Sequence, residues 1–110
     1  MEFFITEQQR KQIGSTCYFE FQKGSKKYKP VFWKEDSLLL DMDVLEEIEL
    51  YKVIPDFNYY GITIIDKEKW KMIQKNAENE SKDIKNAVDE LEVWVEENFK
   101  EFDYFVIHGI

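Results

Sequence analysis

Cysteine is nearly absent from this sequence. Cys17 stands alone among 110 residues, so no internal disulfide or multi-cysteine metal site can form. It is expected to behave as a small buried hydrophobe. Histidine is equally scarce. His108 is the only one, and a Ser-His-Asp or Cys-His arrangement needs such a base beside its nucleophile. With no other triad member in the pattern, His108 reads as part of the last strand with a satisfied hydrogen bond, and no enzyme is expected. The glycines at 14, 24, 61 and 109 lie too far apart for a phosphate-cradling loop. Long apolar runs are missing as well: Tyr104-Phe105-Val106-Ile107 is typical, against the roughly 20 residues of a membrane span. No secretory signal pattern opens the chain.

What the sequence has in excess is negative charge: 23 Asp and Glu against 15 Lys and Arg, a formal net charge of −8. With 44% hydrophobic and 16% aromatic residues, intrinsic disorder is excluded as the default state. The length suits one domain over residues 1–110, with a single core that needs no staples. A soluble, acidic, cytoplasmic globular domain is the expectation. The charge falls in blocks. Residues 35–50 carry seven acidic and no basic side chains, and residues 76–110 carry ten against three, whereas residues 1–34 are net basic. Such asymmetry bears on partners more than on fold.

Hydrophobic periodicity predicts an α+β fold, a mostly antiparallel sheet with helices packed on one face. Glu2-Phe3-Phe4-Ile5 reads as a short strand. Thr6 and Gln9 have capping-box spacing and Gly14 is a helix stop, which predicts a helix over 7–13. Residues 16–22 alternate as a strand, with Cys17, Phe19 and Phe21 on one face and Tyr18 and Glu20 on the other. Gly24 then supplies the positive φ of a turn, and Tyr28 to Lys34 returns as the hairpin partner, with Pro30 marking an edge. Leu38-Leu39-Leu40 reads as a buried strand. Asp41 or Asp43 caps a helix with apolar positions Val44, Leu45, Ile48 and Tyr51. Tyr60 to Ile65 is a β-branched strand, and Asp66 caps a helix carrying Trp70, Ile73 and Ala77. Asn76, Asn79 and Ser81 are the expected interruption, with one continuous helix over 66–101 left as the alternative. A last helix over 82–101 carries Ile84, Val88, Leu91, Trp94 or Val95, and Phe99 on one side and Asp89, Glu90, Glu92, Glu96 and Glu97 on the other. Tyr104 to Ile110 forms a strand inside the sheet.

Candidate chemistry is sparse. Asp41-Met42-Asp43 followed by Glu46, Glu47 and Glu49 is the densest carboxylate cluster. Calcium-loop spacing from Asp41 demands glycine sixth and glutamate twelfth; Glu46 and Lys52 stand there, so the cluster reads as a capped helix start with a solvated acidic face. No metal or cofactor is expected. Pro55-Asp56 opens a carboxylate-and-lysine nuclease pattern, but Glu68 occupies the lysine position after Asp66. The lysines at 23, 26, 27, 29 and 34, beside Tyr28 and Trp33, read as a solvated hairpin turn, and the net charge opposes binding a phosphate backbone. Neither nucleic acid nor membrane is expected as a partner. Trp70 and Trp94 fall on apolar helical stripes and belong to the core. Trp33, Tyr59 and Tyr60 lie near loops or strand ends close to acidic residues, and exposed Tyr and Trp are enriched among binding hot spots.

The stretch from Ile54-Pro55-Asp56-Phe57 through Ile64-Ile65, followed by Trp70, and the ending Tyr104 to Ile110 resemble small bacterial immunity proteins, the cytoplasmic antidotes encoded beside secreted toxins. The resemblance covers about half the chain and its motifs are structural. It implies a non-enzymatic protein that neutralises a cognate toxin by tight binding. It transfers no functional residues, because such families share none. Many such toxins are basic nucleases, for which an acidic partner is electrostatically suited. The expected partner-binding residues are therefore Asp41, Asp43, Glu46, Glu47 and Glu49 for charge, with Trp33, Tyr59 and Tyr60 as anchors. The alternatives are a regulatory or adaptor domain acting as a homodimer, and a small-ligand-binding domain.

Overall fold

A computed structural model describes residues 1–27, 29 and 31–110. The elements run β1 (Phe4–Thr6), α1 (Glu7–Ile13), β2 (Tyr18–Lys23), β3 (Leu38–Asp41), α2 (Met42–Ile48), a 3-10 turn (Leu50–Val53), β4 (Ile62–Asp66), α3 (Lys67–Ala77), α4 (Lys82–Glu101) and β5 (Tyr104–His108). The strands form one antiparallel sheet in the order β1-β3-β2-β5-β4, so the fold is α+β. β5 lies inside the sheet, as its apolar sequence predicts.

Local signals set most element ends. Thr6 and Gln9 form the reciprocal capping box, the Thr6 N–H donating to Gln9 Oε1 at 2.8 Å and the Gln9 N–H to Thr6 Oγ1 at 3.2 Å. Gly14 ends α1 in the left-handed region at φ 82°. α3 stops at Ala77 and Ser81 caps α4. Thus the polar residues at 76–81 do divide two helices.

Among the described residues the expected hairpin is not formed. Residues 31–34 carry no strand, while Tyr28 and Pro30 lie outside the described residues. β2 pairs instead with β3, Phe21 opposite Leu38, and with β5, Phe21 opposite Ile107. Both of its edges are therefore occupied, and residues 31–37 are free to cross a face of the sheet. Gly24 also differs from expectation. It has no positive φ; a Cβ there would lie 2.5 Å from the Tyr104 carbonyl oxygen and 2.7 Å from Phe102 Cβ, so what the site requires is close approach. Cys17 precedes β2 and is exposed, not buried.

The front face presents Phe4, Phe19, Phe21, Leu40, Ile65, Phe105 and Ile107 to α3 and α4. Phe105 is the aromatic hub, with Trp94 edge-on at 5.4 Å, Phe99 at 6.0 Å and Trp70 at 6.3 Å. Both tryptophans are buried, as their helical stripes predict. Buried Asn98 ties α4 to the sheet: its Oδ1 accepts from the Gly24 N–H at 2.8 Å and its Nδ2 donates to the Tyr104 carbonyl at 2.9 Å. Glu90 holds the other end of the sheet by accepting from the N–H groups of Glu2, Phe3 and Phe4.

The back face has no helix layer over its centre. It carries Tyr18, Glu20, Gln22, Leu39, Val106 and His108, all buried, beneath residues 31–37. Glu20, 1% exposed, accepts from the Trp33 N–H and the Lys34 N–H at 2.8 Å each and from Ser37 Oγ at 2.7 Å. Gln22 Nε2 donates to the Val31 carbonyl. Trp33 sits at φ 64°, a region most side chains avoid, with the Arg10 guanidinium 4.1 Å above its ring. Arg10 is in turn paired with buried Glu7.

His108 lies under this cover, 4.9 Å edge-on from the Phe32 ring and opposite Glu20 in the strand register. Burial lowers its pKa below the ordinary value; Glu20 opposes that shift and Lys34 adds to it. The folded protein thus keeps the imidazole neutral where the unfolded chain takes up a proton, so stability falls on acidification through this window. Urea unfolding between pH about 6.5 and 5 is expected to show this decline in the parent protein and a flatter profile in His108→Gln. Parallel profiles would contradict it.

Candidate functional site

The acidic block and the aromatic loop meet on the front of the molecule. Asp41 caps α2, accepting from the Asp43 N–H at 2.7 Å and the Val44 N–H at 3.4 Å. The helix is shorter than its stripe suggests. Glu49 takes the left-handed conformation at φ 60°, and a 3-10 turn follows. That reversal puts Leu50 in the core and turns Tyr51, expected on the buried stripe, outward at 42% exposure.

The loop after Pro55 is fixed to the sheet by backbone bonds. The Asn58 N–H donates to Thr63 Oγ1 at 2.8 Å, the Gly109 N–H to the Gly61 carbonyl at 2.7 Å and the Ile110 N–H to the Tyr59 carbonyl at 2.9 Å. A side chain at Gly109 would overlap the Tyr59 backbone, so this approach requires glycine. These bonds continue the β4–β5 contact past the strand end; the regular strand β4 begins at Ile62, not Tyr60. Phe57 and Tyr59 rest on the core through Phe19, at 5.6 and 5.1 Å.

Between α2 and this loop runs an open groove of about 650 Å³ lined by Glu46, Tyr51, Ile54, Phe57 and Tyr59. The Tyr59 hydroxyl donates to Glu46 Oε1 at 2.7 Å. That bond, followed by burial and the charge of Glu46, pushes the Tyr59 pKa up to about 12. Tyr60, 82% exposed, packs its ring against Tyr59 at 4.9 Å. Beyond Tyr60 the surface turns apolar. Phe32, Ile62, Ile64 and Ile110 are all substantially exposed, and Tyr60 lines a shallow cavity with Phe32, Ile62 and Ile110.

Of the residues expected to bind a partner, Glu46, Tyr59 and Tyr60 come together here. Asp43 and Glu47 stand exposed on α2. Asp41 is engaged as the helix cap. Glu49 pairs with Lys52 at 2.8 Å, a contact that lowers its pKa. Trp33 belongs to neither set, for it lies half-buried on the back face, its backbone held by Glu20 and its ring beneath Arg10. Tyr51, Ile54 and Phe57 line the groove although none is among the expected partner-binding residues. Phe57, an aromatic between Asp56 and Asn58, was the available signal.

Cys17 is exposed while His108 is buried in β5. No group of three or more His, Cys, Asp or Glu among the described residues is placed to hold a metal, and no helix among them is long and apolar enough to cross a membrane. Comparison with protein-family models, curated proteins and solved structures gives no match in any of the three.

The Tyr59–Glu46 bond has a direct readout. With [13C]tyrosine labelling, the Tyr59 ring is expected to titrate near pH 12 in the parent protein and to move toward the ordinary value of about 10 in Glu46→Gln. A Tyr59 titration unchanged by that substitution would contradict the bond.

Proposed function

We infer that this chain is a non-enzymatic interaction protein that binds a basic protein through the face made by α2 and the Tyr59–Tyr60 loop. We further infer that this partner is a toxin, which makes the chain a small cytoplasmic immunity protein. The observation that carries the first inference is the groove itself, where a carboxylate from the acidic block and Tyr59 of the loop form one surface. Tyr60, packed against Tyr59, joins this surface to an exposed apolar strip along Ile62 and Ile64 on the back of β4, and protein interfaces combine apolar and charged groups in this way. The toxin assignment is supported by the resemblance of residues 54–65 and 104–110 to immunity proteins. In the fold those segments are the groove loop with β4, and β5 with the residues that follow it.

Electrostatics give such a protein speed more than strength. An acidic face raises the encounter rate with a basic partner, and short-range contacts set its lifetime. Blocking a cationic cleft by occupation needs no cofactor and no catalytic group.

A homodimer is the second reading, favoured by the same exposed apolar strip. Simple pairing of β4 edges is opposed by Lys69, whose Nζ donates to the edge carbonyl of Ile64 at 3.4 Å and lies 3.7 Å from Asp56. Charged side chains at a strand edge are a common guard against such pairing. A dimer mass in light scattering at micromolar concentration would favour this reading.

The test is a basic protein captured from source-organism lysate on the immobilised chain, then studied pure. Replacing Glu46, Glu47 and Glu49 together with lysine is expected to slow association at least roughly tenfold and flatten its salt dependence. Expression of the captured protein alone should arrest growth, and coexpression with this chain should relieve it. Unchanged association kinetics would overturn the acidic-face reading; a harmless partner would overturn the toxin reading.

A further inference from the structure

We propose that the groove between α2 and the 55–60 loop is a receptor for one arginine side chain of the partner, stacked among the tyrosines and bound at its end by Glu46. The proposal rests on reading this face as the partner surface, and it names the chemical group that enters.

Three features select a planar cation. Glu46 gives only Oε1 to Tyr59; its Oε2 has no hydrogen-bond partner among the described residues. The groove is therefore lined by a carboxylate whose Oε1 is held by a hydrogen bond and whose Oε2 is still able to accept one. An uncharged apolar guest would strip water from that oxygen and offer nothing in return. The walls are the second feature. Tyr51, Phe57 and Tyr59 supply aromatic surface and Ile54 an aliphatic one, and a guanidinium stacks on aromatic rings while forking onto a carboxylate. The third is the absence of competition. None of the lining residues is basic, and Lys52, the nearest cation in sequence, is engaged by Glu49 at 2.8 Å.

Lysine fits less well. Its ammonium is a compact, strongly hydrated charge that gains little from a flat aromatic wall, whereas guanidinium is weakly hydrated and planar. The volume, about 650 Å³, exceeds one arginine side chain, leaving room for the partner backbone that carries it. Tyr59 then has two roles, wall and clamp, since its hydroxyl fixes the orientation of Glu46 before any partner arrives. Such preorganisation reduces the ordering cost of binding.

The probe is a capped peptide, Gly-Arg-Gly-Arg-Gly, with its lysine counterpart as control, titrated into the 15N-labelled full chain at low salt. The arginine peptide is expected to shift the amides of Glu46, Tyr51, Phe57 and Tyr59 together. The lysine peptide should bind at least severalfold more weakly. Glu46→Gln, a substitution at an exposed position, should weaken arginine-peptide binding roughly tenfold, the size expected for losing a charge-assisted bond. Glu96→Gln on the outer face of α4 should leave it unchanged. Equal binding of the two peptides, or no shifts at the groove, overturns the proposal. So do shifts spread equally over Asp89, Glu92 and Glu96; in that case a general acidic-surface reading survives while the groove does not. If the groove takes the arginine peptide but Glu46→Gln leaves the captured partner's affinity unchanged, the site is an arginine receptor and its link to the partner falls.

Discussion

The buried carboxylate of Glu20 is the interaction on which the back of this molecule depends. Two faces of a sheet must be covered, and the long helices α3 and α4 serve only the front. On the back, residues 31–37 do the work of a helix layer without forming one. Their N–H groups find no strand or helix partner, and Glu20 supplies the acceptor for two of them and for the Ser37 hydroxyl. A charge so deeply placed is tolerable only when donors surround it. Three donors in a fixed arrangement also explain how Trp33 is kept in a backbone conformation unfavourable to its side chain. The consequence reaches the loop that we propose for partner binding. Because this cover ends near Phe32, the part of the back face belonging to β4 stays open, and the apolar strip continues from Tyr60 along Ile62 and Ile64.

On the front, acidic residues that look alike in sequence separate into distinct tasks. Asp41 is consumed by the helix cap and Glu49 by Lys52, while Asp43 and Glu47 contribute field at long range. Glu46 alone meets the aromatic loop. The reason lies in the backbone: the left-handed turn at Glu49 and the close approach of Gly109 to Tyr59 bring α2 and the 55–60 loop to opposite banks of one groove. An acidic patch steers a partner; a carboxylate with an oxygen to spare among aromatic walls can recognise one.

The legible parts of the fold were those governed by local chemistry. Thr6 with Gln9, Gly14 and Asp66 each act within one helical turn, and the stripes of α3 and α4 follow from 3.6-residue periodicity. What could not be read was which strands meet. Residues 28–34 follow β2 closely enough to suggest a hairpin, but pairing is a competition, and β3 and β5 won both edges of β2. That outcome sent Trp33 to the back face. Tyr51 was misplaced for a different reason, since a left-handed glutamate in mid-segment has no sequence signature. For the site, the acidic block and the Tyr59–Tyr60 pair were visible. Their juxtaposition was not, because it depends on a contact between residues 13 positions apart and on a glycine next to the end of the chain.

Hydrogen exchange on Glu20→Gln tests the central structural claim most directly. The amide replacement keeps the shape but places an NH2 group against donors and removes the charge, with an expected stability loss of about 1–3 kcal/mol. The account predicts that the Trp33 and Lys34 amides exchange much faster in the variant, while amides of α2 and the groove loop keep their relative protection and the arginine peptide still binds. Trp33 and Lys34 amides that exchange at parental rates would contradict it.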